Sequence, residues 1–326
     1  MIATALLRAS ALAVALAAAA VACATLPEVA TAGAPAIKTQ APGFYRVMVG
    51  EFEITALSDG TLPLDTHKVL TNTTPAQTDK ALAKFDLTNP VESSVNAFLI
   101  NTGDKLVLVD TGTASFFGPA LGQLLVNLTA SGYKPEQVDE IYLTHLHIDH
   151  VGGLMSNGRM AFPNAIVRAD KRDADYWLSE ENLKKAPAEM KQFFAGAQAS
   201  LNPYIKAGKF KSFDGDTDLL PGIKALATHG HTPGHTFYVA ESKGQKIVFW
   251  GDLIHMAPVQ LPNPAVTVAF DVDPKAAAAQ RKRALADFAR NGTLIGAAHI
   301  AFPGLGRLRA DGKGYAWLPV NYSSKP

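Results

Sequence analysis

The run THLHIDH, residues 144–150, places His145, His147, Asp149 and His150 close together, straight after the strand-like DEIYL. In extended backbone alternate side chains leave the same face, so His145 and His147 can offer two imidazoles to one cation. Asp149 and His150 follow in the turn and cannot point the same way. A second ion, or a second role, is natural for them.

More ligand-type residues stand downstream. ATHGHTPGHT supplies His229, His231 and His235, FWGDLIH supplies Asp252 and His255, and GAAHIAFPG supplies His299. Each group sits at the end of a predicted strand, and together these places take all the histidines of the chain except His67. The one cysteine, Cys23, lies in the N-terminal segment, so any metal further on is held by nitrogen and oxygen. Structural zinc closes its shell with four protein ligands, often thiolates, whereas a His/Asp set suits a water-bearing catalytic site. Zinc, manganese, cobalt, iron and nickel all accept such ligands, with zinc the first expectation. The alternative without turnover is a metal-binding module, in which Asp252 would have no bearing on ester or lactone chemistry.

These groups need a scaffold, and 326 residues with 48% hydrophobic content are ample for a buried core. Formal net charge is +1 with charges well mixed, which argues against nucleic acid as a partner. The N-terminus reads as a secretory signal over residues 1–24: Arg8, then an apolar run, then small residues offering an Ala-x-Ala site at Ala22 to Ala24. The apolar run is short of the ~20 residues of a membrane span. The expected location is therefore secreted, in the periplasm, with lipid attachment at Cys23 or an uncleaved anchor as the competing readings. Residues 25–43, rich in Pro, Ala, Gly and Thr, read as a linker or extended arm, and residues 44–326 as the working domain.

Within that domain YRVMVG and EFEITALSDG read as strands around Gly50, and VNAFLINTGDKLVLVDTG as two more. Phe117, Leu121, Leu124, Leu125 and Leu128 have helical spacing and predict a helix ending near Gly132. AIVRAD, IKALATHG, TFYVAES, KIVFWGD and TLIGAAH read as strands; KRDADYWLSEENLKK, PAEMKQFFAGAQASL and DPKAAAAQRKRALADFARNG as helical. Strands with helices between and after them indicate layered α/β, with sheets covered on their outer faces.

The pattern His-x-His-x-Asp-His, then Gly-His-Thr-Pro-Gly-His, then Gly-Asp, then a late His, resembles the metallo-β-lactamase-fold hydrolases. APGFYRVMVGEFEITALSDG, LVLVDTG, HVGGLM, AFPNAIVRAD, SLNPYIKAGKF and GKGYAWLPVNYS are most similar to the methyl parathion hydrolase and dihydrocoumarin hydrolase branch. That resemblance implies an αββα sandwich of two mixed sheets flanked by helices, and a homodimer. It implies one metal on His145, His147 and His231, and another on Asp149, His150 and His299. Asp252 would bridge the two, as a carboxylate with two oxygens can. Two ions a few Å apart can share a hydroxide whose pKa they lower. His235 and His229 are then expected to make hydrogen bonds outside the ligand set. Asp110 either fixes a ligand imidazole or caps the turn before Thr111.

The fold does not choose the substrate. His255 stands three residues after Asp252, where acyl-homoserine lactonases carry a Tyr that meets the substrate carbonyl. It could polarise a carbonyl or protonate a leaving alkoxide, or be a loop histidine with no part. Methyl parathion hydrolases carry Leu there, Arg where this chain has Val69, and Leu where it has Phe270. These departures point towards opening of aryl lactones and esters, with phosphotriester hydrolysis as a side activity. Positions matching Phe117, Trp177 and Phe193 line the leaving-group pocket in that branch, where each aromatic pair adds about 0.5–1.5 kcal/mol beyond area burial. Ordinary core packing competes with that reading at each of them. The expectation is a binuclear hydrolase for small lactones and esters, with Asp252, His255 and Asp149 at the reacting centre; a phosphotriesterase and an acyl-homoserine lactonase are the alternatives.

Overall fold

A computed structural model describes residues 34–326; residues 1–24, expected to be a secretory signal, with Cys23 among them, and the start of the proline-rich arm lie outside the described residues. Residues 34–42 carry no helix or strand. From Phe44 onward two seven-stranded sheets form. The first runs in the spatial order Phe44–Val49, Phe52–Leu64, Val91–Asn101, Leu106–Val109, Glu140–Tyr142, Ile166–Asp170, Phe210–Phe213. The second runs Thr217–Leu220, Ile223–Ala227, Thr236–Ser242, Gln245–Phe249, Leu294–Gly296, Leu305–Asp311, Gly314–Pro319.

Side-chain alternation builds the layers. In Val91–Asn101, Phe98 and Ile100 face the second sheet, while Ala97 and Leu99 face the outer helices. The inner layer joins Ile54, Val107 and Tyr142 of the first sheet to Ala225, Tyr238 and Phe249 of the second. Outside the first sheet, the helix Lys191–Lys206 buries Phe194, Ala197 and Leu201 against Leu108 and Val167. Outside the second, Pro274–Asn291 buries Ala277, Arg281, Leu285 and Phe288, a stripe of helical period. Asp273 caps that helix through Ala276 N–H (2.9 Å), Pro274 sits at its first position, and Gly292 ends it in the left-handed region. The result is the αββα sandwich of two mixed sheets flanked by helices.

One local expectation needs correction. The helix expected to begin near Phe117 covers only Leu124–Ala130. Pro119 interrupts the earlier turns, Gly122 takes φ +78°, and Asp59 draws the segment into a loop. This buried carboxylate, at a register shift between Ser58 and Gly60, accepts from Thr113 N–H (2.9 Å), Gly122 N–H (3.1 Å) and Leu124 N–H (3.1 Å). KRDADYWLSEENLKK is helical as expected, as two helices, Lys171–Trp177 and Glu180–Lys185. Ser179 starts the second by accepting from Asn182 N–H (3.2 Å).

Candidate metal centre

All the expected ligands converge at one end of the sandwich, following the strands that precede them. The strand Glu140–Tyr142 delivers the chain to His145 and His147. A single helical turn, Ile148–Val151, then swings Asp149 and His150 round. His231 follows Ile223–Ala227, Asp252 follows Gln245–Phe249, and His299 follows Leu294–Gly296. Two quartets form: His145, His147, His231 and Asp252, and Asp149, His150, Asp252 and His299, each with one ligand atom per residue within 4.8 Å of the others.

Asp252 belongs to both quartets, and its two oxygens divide between them. Oδ2 lies 3.3 Å from His231 Nε2 and 3.6 Å from His145 Nε2; Oδ1 lies 3.0 Å from His150 Nε2 and 3.1 Å from His299 Nε2. Asp149 Oδ2 completes the second group, 3.4 Å from His299 Nε2 and 3.5 Å from His150 Nε2. Ligands about 2.0–2.1 Å from a common ion stand roughly 3.4 Å apart at the corners of a tetrahedron, the separation seen here. The Nε2 atoms of His145, His150 and His299 and the Oδ1 of Asp252 are buried and have no hydrogen-bond partner. Buried polar atoms are nearly always satisfied, so four orphaned acceptor sites aimed at two points fit two cations.

The far nitrogens of these rings are held. His150 Nδ1–H donates to Asp110 Oδ2 (2.8 Å), which also takes the Thr144 hydroxyl (2.8 Å), so Asp110 does fix an imidazole. It adopts φ +61° to do so, an uncommon conformation for a side chain other than Gly. His231 Nδ1–H donates to Asp271 Oδ1 (2.7 Å), and His299 Nδ1–H to the Ser94 carbonyl (3.0 Å). Burial works against a charged His150, yet Asp252, Asp149 and Asp110 carry its pKa well above the ordinary value. Burial takes His145 and His147 the other way, well down.

His235 has a distinct task. Its Nε2 accepts the backbone N–H of Asp252 (3.0 Å), and its Nδ1–H donates to Thr228 Oγ1 (2.9 Å), so the ring is neutral; burial pushes its pKa down to about 3. Gly251 makes this approach practicable, since a Cβ there would meet His235 Nε2 at 2.8 Å. His229 is half-buried, 3.5 Å from Asp170, and outside both quartets.

A cavity of about 250 Å³ opens over the cluster. Phe117, Phe193, Val69, Phe270 and His255 line it, and so do Leu62 and Leu64, which no sequence signal singled out. Trp177 does not. It is fully buried, edge-on to His147 at 5.0 Å and against Phe194 at 4.6 Å. The apolar face of Lys171–Trp177 turns it into the outer core, where it backs a ligand instead of lining the cavity. His255 Nε2 lies 2.9 Å from Asp252 Oδ2, its Nδ1 is unpartnered, and burial pushes its pKa down to about 4.

Two carboxylates that position ligands escaped the sequence reading: Asp271, behind His231, and Asp173. Asp173 accepts from Leu146 N–H (2.9 Å), the Thr232 hydroxyl (3.0 Å) and Gly234 N–H. Neither lies in a histidine-rich run; the one legible hint for Asp271 is its place next to Phe270.

Known proteins resemble this chain in sequence and fold. The metallo-beta-lactamase superfamily profile matches residues 90–299. A Bacillus cereus N-acyl homoserine lactonase is 32% identical over 180 residues, covering 49% of this chain and 63% of that enzyme, so the match spans about three-fifths of the relative's length. The crystal structure of the hydrolase AbOPH, in the beta lactamase superfamily, aligns with a TM-score of 0.83 at 40% identity, over 88% of this chain and 100% of its own. AidC, a dizinc quorum-quenching lactonase seen with its product N-hexanoyl-L-homoserine, aligns with a TM-score of 0.80 at 28% identity, over 86% and 99%. With the profile covering most of the chain and the ligand quartets in place, the chain belongs to the metallo-beta-lactamase superfamily of hydrolases.

Proposed function

We propose that this chain is a secreted, periplasmic lactone and aryl ester hydrolase. Dihydrocoumarin-type rings are leading substrates and aryl phosphotriesters side substrates, and the enzyme works as a homodimer with two divalent ions, zinc first. The observation that carries this reading is the division of Asp252, one oxygen toward each quartet. Lactonase relatives support the substrate class, and the signal-like residues 1–24 support the location.

Divalent ions bound at the quartets would supply Lewis acidity and a water of lowered pKa. The chain supplies the rest. His145, His147 and His231 would hold one ion, Asp149, His150 and His299 the other, with Asp252 spanning both. Phe117, Phe193 and Phe270 would orient a flat ring and exclude bulk water from the carbonyl. His255 is neutral; with its Nε2–H given to Asp252, its Nδ1 is the free acceptor. An unprotonated Nδ1 has no proton to give. In this state the ring can only take a proton from a reacting hydroxyl and hand that proton on to a departing alkoxide; polarising a carbonyl would need a donor from the outset. The second reading, an acyl-homoserine lactonase, is favoured by the Bacillus cereus relative and AidC.

The test is a panel of dihydrocoumarin, an acyl-homoserine lactone, an aryl acetate and an aryl phosphotriester on metal-reconstituted protein, beside His255→Leu, with ion content measured in parallel. Two ions per chain and fastest turnover of dihydrocoumarin are expected, with that rate falling in His255→Leu. Trace ion content ends the reading. A faster acyl-homoserine lactone moves it to the second, and an unchanged lactone rate in His255→Leu removes that residue's role.

A further inference from the structure

Ser93 lines the cavity over Asp252 and is only 5% exposed, yet its hydroxyl makes no hydrogen bond among the described residues. Buried hydroxyls nearly always find a partner. One that is left over and faces a cavity points to a partner arriving from outside the chain.

The register of the first sheet aims this side chain. In the antiparallel pair Phe52–Leu64 and Val91–Asn101, Ser93 stands opposite Leu62, and Val91 opposite Leu64. Directly paired residues share a face. Both leucines line the cavity, so the Ser93 side chain leaves toward it as well. Ser94 leaves on the other face, where its Oγ accepts the Phe302 N–H (3.2 Å), and its carbonyl takes the Nδ1–H of His299 (3.0 Å). Asn96 adds Nδ2–H bonds to the carbonyls of Ala297 (3.1 Å) and Ile300 (2.7 Å). The strand is thus fastened to the loop of His299, and Ser93 is held beside that ring without being used to hold it.

A hydroxyl there has a use that no other wall of the cavity offers. Apart from His255, the other lining side chains are apolar, acidic or part of the quartets. His255 gives its Nε2–H to Asp252 and presents an acceptor. A scissile ester carries two oxygens with opposite needs. The leaving oxygen takes a proton, and the carbonyl oxygen, which gains charge, takes a hydrogen bond. His255 lies 2.9 Å from Asp252 Oδ2, whereas His299, beside Ser93, lies 3.1 Å from Oδ1. An acceptor and a donor therefore stand by different oxygens of the bridging carboxylate.

We propose that Ser93 is a catalytic residue, whose hydroxyl donates to the carbonyl oxygen of the lactone or ester held over Asp252. This deepens the hydrolase reading and rests on it for the placement of the carbonyl. As the water oxygen bonds to the carbonyl carbon, the π pair moves onto the carbonyl oxygen, and the Ser93 hydrogen bond strengthens with that charge. The pair returns when the ring C–O bond breaks. The leaving oxygen takes, through His255, the proton that the water has lost, and Ser93 keeps its own throughout.

The experiment uses metal-reconstituted wild type, Ser93→Ala and Ser93→Thr, with ion content measured for each and kcat taken per ion-loaded chain. Turnover of dihydrocoumarin gives kcat and KM. The infrared carbonyl stretch of bound 2-tetralone, carrying 13C at its carbonyl, reads the hydrogen bond without turnover, because this ketone has the same ring skeleton and no ester bond. Losing one donor to an oxyanion typically costs about 10²–10³-fold in kcat. The expected loss in Ser93→Ala is about 100-fold in kcat, with KM changed by less than about threefold. Ser93→Thr keeps the hydroxyl and should recover most of the rate. The ketone stretch should lie at higher frequency in Ser93→Ala than in the other two proteins. Equal kcat in wild type and Ser93→Ala overturns the proposal and leaves the hydrolase reading intact. A lowered kcat that Ser93→Thr does not recover, with the stretch unmoved, marks a packing role and overturns it too. If the wild type cleaves no lactone or ester while the stretch still moves in Ser93→Ala, the hydrolase reading fails and Ser93 stands as a carbonyl donor.

Discussion

The carboxylate of Asp173 accepts the backbone N–H of Leu146 at 2.9 Å, at the peptide between His145 and His147. The same carboxylate takes the Thr232 hydroxyl and the Gly234 N–H in the loop that carries His231. One buried side chain thereby sets the spacing of ligands that arrive from different sheets.

Replacing Asp173 by Asn should damage both stability and metal retention. The amide keeps one acceptor but turns an NH2 towards donors, leaving at least one buried N–H or O–H unsatisfied at about 1–3 kcal/mol. Urea unfolding of the reconstituted proteins should show that loss, and equilibrium dialysis a weaker hold on the ion bound by His145, His147 and His231. Unchanged ion affinity would show that the two loops keep their spacing without this tie.

The pH dependence of that difference has a fixed sign. Burial raises the Asp173 pKa in the folded chain from 3.8 to about 6. A group with a raised folded pKa binds its proton more tightly when folded, so its contribution is full below the unfolded pKa and is lost as pH rises through the folded one. The advantage of the wild type over Asp173→Asn should therefore shrink between about pH 4 and pH 6 and level off above. Paired denaturation curves across that range check it; an advantage that grows with pH contradicts it.

Asp252→Asn separates an enzyme from a metal-binding module. The amide retains one good oxygen ligand, so one quartet persists while the other loses its shared corner. Ion content should fall from two towards one per chain, and lactone turnover by more than the 10–100-fold typical of losing an outer-shell partner. Retained turnover with reduced ion content would favour a single-ion reaction.

Asp271→Ala leaves the His231 ring in place but frees its Nδ1–H. Such losses usually cost 10–100-fold in metal affinity, and here the loss should fall on one ion of the two. Competitive chelator titration, with and without the substitution, should show one of two steps displaced. Asp271 also accepts the Val268 N–H (3.0 Å), so a small drop in thermal stability should accompany it.

The ligand residues were legible because chemistry restricts them: few side chains bind cations, and clustering at strand ends is hard to reach by chance. The strands were legible because alternation in runs such as VNAFLIN is a direct trace of two different faces. What stayed hidden was set by partners distant in sequence. Nothing near Phe117 announces that Asp59, more than fifty residues earlier, will pull Gly122 and Leu124 out of an expected helix. Trp177 has the composition of a pocket residue, and only the packing of Lys171–Trp177 against Phe194 places it behind His147. The hairpin Leu305–Asp311/Gly314–Pro319, whose strands pair from Gly306↔Pro319 to Asp311↔Gly314, went unread because its outward positions mix Arg, Asp and aromatic residues without clean alternation.

The ligands enter from both halves of the sandwich, four after strands of the first sheet and three after strands of the second. Cations seated there would clasp the halves together at their rim, so the free ion concentration becomes a thermodynamic input to folding as well as to catalysis. Each tenfold rise above the dissociation constant adds about 1.4 kcal/mol per site to the folded state. A chain starved of metal should then begin to come apart at this seam, with cleavage by an added protease starting in the loops around Leu146 and Thr232 while the interior between the sheets is still intact.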